Sequence, residues 1–149
     1  MASTVKASTL TVTIKEDIDL NGQPYGSVNT LKLTGINEVS SRVMNVGTGS
    51  TAVLAFGAGN GAGTYTKGDV RYIRITNLDD TNYGTIDITG GGTTCVRLDP
   101  GASFILTASK TTGVGTFIDG GGTTLADMTG IAMTSDTASI DVEVFVGTV

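Results

Sequence analysis

Hydrophobic and polar residues alternate along most of the chain. In TLTVTIKEDIDL, Leu10, Val12 and Ile14 fall on one side and Thr11, Thr13 and Lys15 on the other, and the alternation continues through Ile18 and Leu20. A period of two predicts a strand with one buried face. Asn21-Gly22 reads as a turn, and Pro24 reinforces the break. NTLKLT resumes the pattern with Leu31 and Leu33 inward. In GINEVSSRVMNV the residues Ile36, Val39, Val43 and Val46 are spaced like one helical face, yet Val and Ile dominate. The reading is therefore a strand bulged near Ser40 and Ser41, with a short helix as the alternative.

GTGS is a turn and TAVLAF a short apolar strand, followed by the Gly-dominated loop GAGNGAGTYTKGD. Residues 70–89 predict a hairpin: two alternating runs, 70–77 and 83–89, flank the polar knot LDDTN, with Ile73 and Ile75 facing Ile86 and Ile88. CVRL puts Val96 and Leu98 inward, Asp99-Pro100-Gly101 is a type I or II turn, and SFILTAS is another strand. Residues 110–122 read as loose and Gly-rich. Leu125 opens what could be one helical turn, cut off at Gly130, with residues 131–133 as strand. The last run, ASIDVEVFV, sets Ile140, Val142, Val144 and Val146 on one face and Asp141, Glu143 and Phe145 on the other.

About ten short strands at the roughly 8–12-residue spacing of all-β folds predict an antiparallel β-sandwich, of which the jelly roll is one form. No segment reads as a helix long enough for a parallel crossover fold, and no internal repeat is present. The organisation expected is a small, polar N-terminal arm over residues 1–8 and a single β-sandwich domain over 9–149.

Composition sharpens this. The 149 residues suit one domain, which at this size buries roughly 70% of its unfolded surface. Without Trp, and with aromatics at 5%, the core must be aliphatic. Charged residues are 15%, against about 25% in ordinary domains, and Thr and Gly take their place. The net charge is −5 and the nine Lys and Arg are scattered, which argues against binding a phosphate backbone, so no nucleic-acid partner is expected. No apolar run approaches the roughly 20 residues of a membrane span, so no membrane partner is expected either. MASTVKASTLTVTI lacks the apolar stretch of a Sec-type signal peptide, so synthesis in the cytoplasm is expected.

Candidate chemistry is sparse. With no His and one Cys, the usual zinc sites and the Ser-His-Asp or Cys-His nucleophile systems are excluded. Asp79 and Asp80 are adjacent carboxylates, but Asp and Asn favour such corners because their side chains bond nearby backbone N–H groups. Asp80, Asn82 and Gly84 mimic the start of a calcium loop, with the Gly one place early and no closing Glu. Gly57-Ala58-Gly59-Asn60-Gly61-Ala62 matches a dinucleotide fingerprint literally but lacks the helix that would hold a pyrophosphate. Glu16, Asp17 and Asp19 read as a solvated strand face around a local break. A glycosidase needs two carboxylates across a sugar cleft, and nothing here places a pair that way. Tyr25, Tyr65, Tyr72 and Tyr83 are the tyrosines open to a sugar-stacking role. Cys95 reads as a small, half-buried hydrophobe. The expected catalytic, cofactor and metal sites are therefore none.

Five stretches, TVTIKEDIDLNG, NTLKLTGINEVSSRVMNV, VRYIRITNLDDTNYGTIDI, LDPGASFIL and IDVEVFVG, together resemble a family of small virion proteins from tailed phages of marine bacteria. The resemblance spans residues 11–146 and rests on strand and turn patterns. It implies a non-enzymatic structural part of the particle: a capsid decoration (cement) protein, or a neck or tail component, located in the virion. The major capsid protein or another virion protein is the implied partner. A homo-oligomer is also expected, with a trimer as the specific guess. A tail-borne glycan- or receptor-binding module and an enzyme are the competing classes.

Overall fold

The computed structural model describes residues 5–57, 62–108, 116–118 and 125–149. The alternating runs become the strands β1 (Ser8–Lys15), β2 (Ile18–Leu20), β3 (Gln23–Tyr25), β4 (Val28–Ile36), β5 (Glu38–Val46), β6 (Thr51–Phe56), β7 (Thr64–Tyr65) and β8 (Val70–Asn77). After them come β9 (Gly84–Thr89), β10 (Thr93–Leu98), β11 (Ser103–Thr107), β12 (Thr116–Ile118), β13 (Leu125–Asp127), β14 (Gly130–Ser135) and β15 (Ile140–Thr148). The only helical element among the described residues is a 3-10 turn at Lys67–Asp69.

Eight strands build an antiparallel β-sandwich. One sheet has the order β11-β8-β15-β5 and the other β10-β9-β14-β6, with β7 added to its edge in parallel to β6. The pairing is nested: β5 with β15, β6 with β14, β8 with β11 and β9 with β10. The first sandwich strand meets the last and the second meets the last but one, which is the double-sheet jelly roll. The two inner faces supply an aliphatic core that includes Val46, Val53, Ile73, Ile75, Ile86, Met133, Val142 and Val144.

Several expectations change. Residues 70–89 form no hairpin: β8 and β9 lie in different sheets, joined by an arch over residues 78–83. Ile73 and Ile75 still face Ile86 and Ile88, but across the sandwich core. The strand β5 runs without the bulge, since Ser40 and Ser41 pair with Val146 and Phe145 in unbroken register. Its helix-like spacing arose from mixing two faces: Val39 and Val43 are exposed outward, whereas Val46 is buried. Leu125 belongs to a strand rather than a helical turn, because β13 pairs with β12 inside the run read as loose. Ser8 already pairs with Ile36, one residue earlier than the sequence placed the first strand. Among the described residues fifteen strand segments stand where about ten were expected.

The strands β1 to β4 belong to neither sandwich sheet. They form a long two-stranded ribbon laid over the outer face of the sheet containing β8 and β15. Leu33, Ile36 and Tyr72 are buried together there, flanked by Leu10, Val12, Leu31, Phe145 and Val149. Tyr72 and Phe145 alternate outward from the core and meet edge to face at 5.8 Å and 76°. Burial pushes the Tyr72 phenol up, against a lowering from Arg74.

Candidate interaction surface

The ribbon is one continuous hairpin. Leu10 pairs with Leu33, and the same register runs through Lys15 and Val28 to Ile18 and Tyr25 and then Leu20 and Gln23. Asn21-Gly22 closes it with positive φ at both residues, 54° and 77°, as a type I′ turn requires. The Gly22 N–H donates to Asp19 Oδ1 at 2.8 Å, which fixes the tip. Pro24 is part of strand β3 instead of breaking it. It pairs with Asp19, next to the pair that flanks the turn, where an antiparallel ladder needs no N–H. Between the two paired stretches the ladder is interrupted at Asp17 and Gly26. Gly26 has φ 141°, and a Cβ there would stand 2.1 Å from the Glu16 carbonyl oxygen, so only Gly fits. On the β1–β4 side of this joint Glu16 N–H donates to Ser27 O, and Ser27 Oγ donates to Glu16 Oε2, both at 2.9 Å.

Alternation along this register sets Leu10, Val12, Ile14, Glu16, Ile18 and Leu20 on one face, opposite Leu33, Leu31, Asn29, Ser27, Tyr25 and Gln23. Burial falls steadily along that face. Leu33 is 2% exposed, Leu10, Val12 and Leu31 are half-buried, Ile14 is 45% exposed, and Ile18, Leu20 and Tyr25 reach 49%, 54% and 58%. Where the ribbon passes the edge strand β11, Val12, Ile14 and Leu31 with Ile105 and Thr107 line an open cleft of about 430 Å³. The six residues beyond Ile14, as far as Leu20, carry the apolar stripe on by about 20 Å. Covering each half-exposed aliphatic side chain of the tip would contribute on the order of 1 kcal/mol. A two-stranded hairpin is marginal in water by itself, and this one leaves both edges unpaired.

The arch at Asp79 and Asp80 is committed to holding itself. Asp79 Oδ1 accepts from Thr81 N at 2.8 Å, Asn82 N at 2.6 Å and Asn82 Nδ2 at 3.3 Å. These bonds, led by the Asn82 and Thr81 backbone donors, hold the Asp79 carboxyl below its ordinary range. Asp80 accepts only from the Thr81 hydroxyl. Fully buried Asn77 organises the base: its Nδ2 donates to Asn82 O at 2.9 Å and Leu98 O at 3.2 Å, and its Oδ1 accepts from Asp79 N at 3.0 Å. Asp79→Ala is expected to lower Tm clearly more than Asp80→Ala in calorimetry at neutral pH. The folded Asp79 value is depressed, so its contribution is complete above the unfolded value of about 4 and disappears as pH falls through the lower folded value. The gap between the two variants should therefore close in acid.

The other candidate residues do not converge. Glu16, Asp17 and Asp19 lie on the ribbon, with Asp17 paired to Lys15 at 2.8 Å in full exposure. Cys95 is exposed, contrary to the half-buried expectation, because β10 is an edge strand and its outer face meets solvent. A hydrogen bond to Asp87, its cross-strand partner, is the main cause that pushes its thiol up, away from a reactive thiolate. Tyr83 stacks under Arg97 at 3.8 Å, Tyr72 is buried, and Tyr25 stands at the ribbon tip. The fingerprint-like loop lies mostly outside the described residues. Among the described residues no cluster of three or more carboxylate, Cys or His groups could hold a metal, and no helix is long and apolar enough to cross a membrane.

Sequence reading found the apolar stripe and the Asn-Gly turn but did not pair the strands on either side. An Asn-Gly dipeptide flanked by alternating runs is the signal that could have joined them. No family model matches the chain, and no curated protein or solved structure does.

Proposed function

We propose that this chain is a non-enzymatic structural protein of a virion: a decoration protein of a tailed phage, held on the major capsid protein by its ribbon. The observation that carries the reading is the apolar stripe that leaves the sandwich at Ile14 and ends half-exposed at Leu20 and Tyr25. Such a stripe, on a ribbon with open edges, is built to be covered by another surface. The double-sheet jelly roll recurs in capsid proteins and in lectins, a fold-level analogy that supports the class without assigning the role. The acidic balance and scattered cations favour a protein surface over packaged nucleic acid. Residues 5–7, exposed and outside any strand, lead into β1 and are a second attachment element. Self-association into a closed trimer belongs to the same proposal, with the exposed Val39 and Val43 on edge strand β5 as the surface where copies meet.

The test is mass spectrometry of purified particles together with a density map. A constant, high copy number and density matching this sandwich on the outer head surface are expected. Density confined to neck or tail would move the protein there, and absence from the particle would end the virion reading.

A further inference from the structure

We infer that copies of this chain join head to tail, with Val39 and Val43 of one copy entering the cleft between the ribbon and strand β11 of the next. This rests on the self-association proposed above, and it names the surface that receives β5.

Both surfaces lie on the outer face of one sheet, at its opposite edges. Ladder partners share a face, and one row of partners runs Ile105, Arg74, Phe145, Ser41 from β11 to β5. Val39 and Val43 flank Ser41 on that face and are more than half exposed. Ile105 lines the cleft at the other edge, with Val12, Ile14 and Leu31 contributed by the ribbon. Three inter-strand steps, roughly 14 Å, separate the two edges, so the valines of one copy cannot fill its own cleft. Neither edge strand has a second ladder partner among the described residues.

Each surface has what the other lacks. Strand β5 presents a protruding pair of branched aliphatic side chains, and the cleft a concave aliphatic lining completed by Asn29 and two threonines. The side chains on both sides are uncharged. Ser41 and Asn45 accompany the valines, Asn45 is held by Asp141, and Glu143, the ladder partner of Val43, is already paired with Arg74 at 2.8 Å. A neutral contact needs no counter-ion and leaves no charge buried. The −5 on each copy then opposes assembly only through space, where salt screens it beyond about 8 Å. The contact is heterologous, so rotation decides between ring and filament. Extending the ladder from β5 to β11 would carry the sheet twist onward and build a filament. Side chains entering the cleft let neighbouring faces incline toward one another and close a ring of three. Closure strengthens a small contact, because the third one forms within an assembly already joined.

The experiment reads the mass of the purified full chain by light scattering across concentration and salt. Wild type should reach three chain masses, and added salt should favour the assembly. Ile105→Lys, and Val39→Lys with Val43→Lys, should each raise the half-assembly concentration at least about 10-fold, since each would bury an unpaired ammonium. All three positions are exposed, and circular dichroism of each variant checks that the sandwich is intact. In a Cys95→Ser background, Val43→Cys chains are then mixed with Ile105→Cys chains and a bismaleimide too short to span the roughly 14 Å between the edges of one sheet. The mixture should give a covalent dimer that neither chain gives alone. Cross-linking of Val43→Cys chains to each other, or assembly lost in the β5 variant but kept in Ile105→Lys, would overturn the cleft in favour of a two-fold pairing of β5. Assembly that survives both lysine variants, or that weakens with salt, would overturn this contact and leave self-association standing. A monomeric wild type would overturn self-association as well, whereas the virion reading is decided separately by mass spectrometry of particles. A monomeric wild type that co-sediments with particles only when Ile105 is intact would overturn the second copy and give the cleft to another protein.

Discussion

Removing residues 140–149 is expected to give a chain with no cooperative thermal transition and no dispersed amide spectrum. The strand β15 is interior to its sheet, pairing with β5 along nine residues from Ile140–Val46 to Thr148–Glu38 and with β8 on its other side. Its inward residues Ile140, Val142, Val144 and Val146 are each at most 1% exposed. Fully burying such a side chain contributes about 1.5–3 kcal/mol, so the four together supply roughly 6–12 kcal/mol. Whole domains are stable by only about 5–15 kcal/mol, so the loss consumes most or all of the margin. The deletion also strips the ladder from both neighbours and exposes their edges. Retention of a cooperative transition would mean that β5 and β8 can close on each other without it. Trimming residues 1–7 removes no ladder pair and should leave the transition in place.

Asn77→Leu is expected to cost about 3–5 kcal/mol, read as a lower urea midpoint at unchanged slope. Leucine keeps the branching and heavy-atom count of asparagine but is larger and has no polar atoms. The substitution strands Asp79 N–H, Asn82 O and Leu98 O, the three groups that the amide satisfies. The main chain of Asn77 is also committed, with its N–H to Ala102 O and its carbonyl to Gly101 N–H, so the strand end cannot shift to relieve the loss. One buried amide thus ties the β8–β9 arch to the turn after β10. A loss below about 1 kcal/mol would show that water replaces the amide.

The sandwich was legible because strand burial writes itself as a period of two. The strand β15 could be read face by face from ASIDVEVFV, and Ile73, Ile75, Ile86 and Ile88 were all found as core. What alternation does not encode is which strands pair. The two runs beside LDDTN look like the arms of a hairpin, and only the positions of β15, β11, β10 and β14 show that they belong to different sheets. Asn77 was missed for a related reason: an Asn at a strand end looks like any turn residue until its burial is known. The ribbon hid in plain alternation, since a stripe that overruns its own protein has the same pattern as one that is covered. The corner role of Asp79 could be read because turn chemistry is local, whereas the exposure of Cys95 depended on β10 lying at a sheet edge.

The nested pairing also orders events in time. Because β5 waits for β15 about a hundred residues later, the sandwich cannot close until β15 has left the ribosome, and its non-local contacts place it among slow folders, in the range of milliseconds to seconds. The ribbon needs only residues 8–36 and a two-residue turn, so it can form in microseconds. Each nascent chain therefore displays its sticky stripe long before it has a body to cover the base of it. Open edges and aliphatic side chains at that stage invite strand pairing between neighbouring chains on one polysome. Glu16 within the stripe, with Asp17 and Asp19 behind it, then acts as a gatekeeper during synthesis. Exchanging those carboxylates for amides should show first as inclusion bodies rather than as a weaker fold.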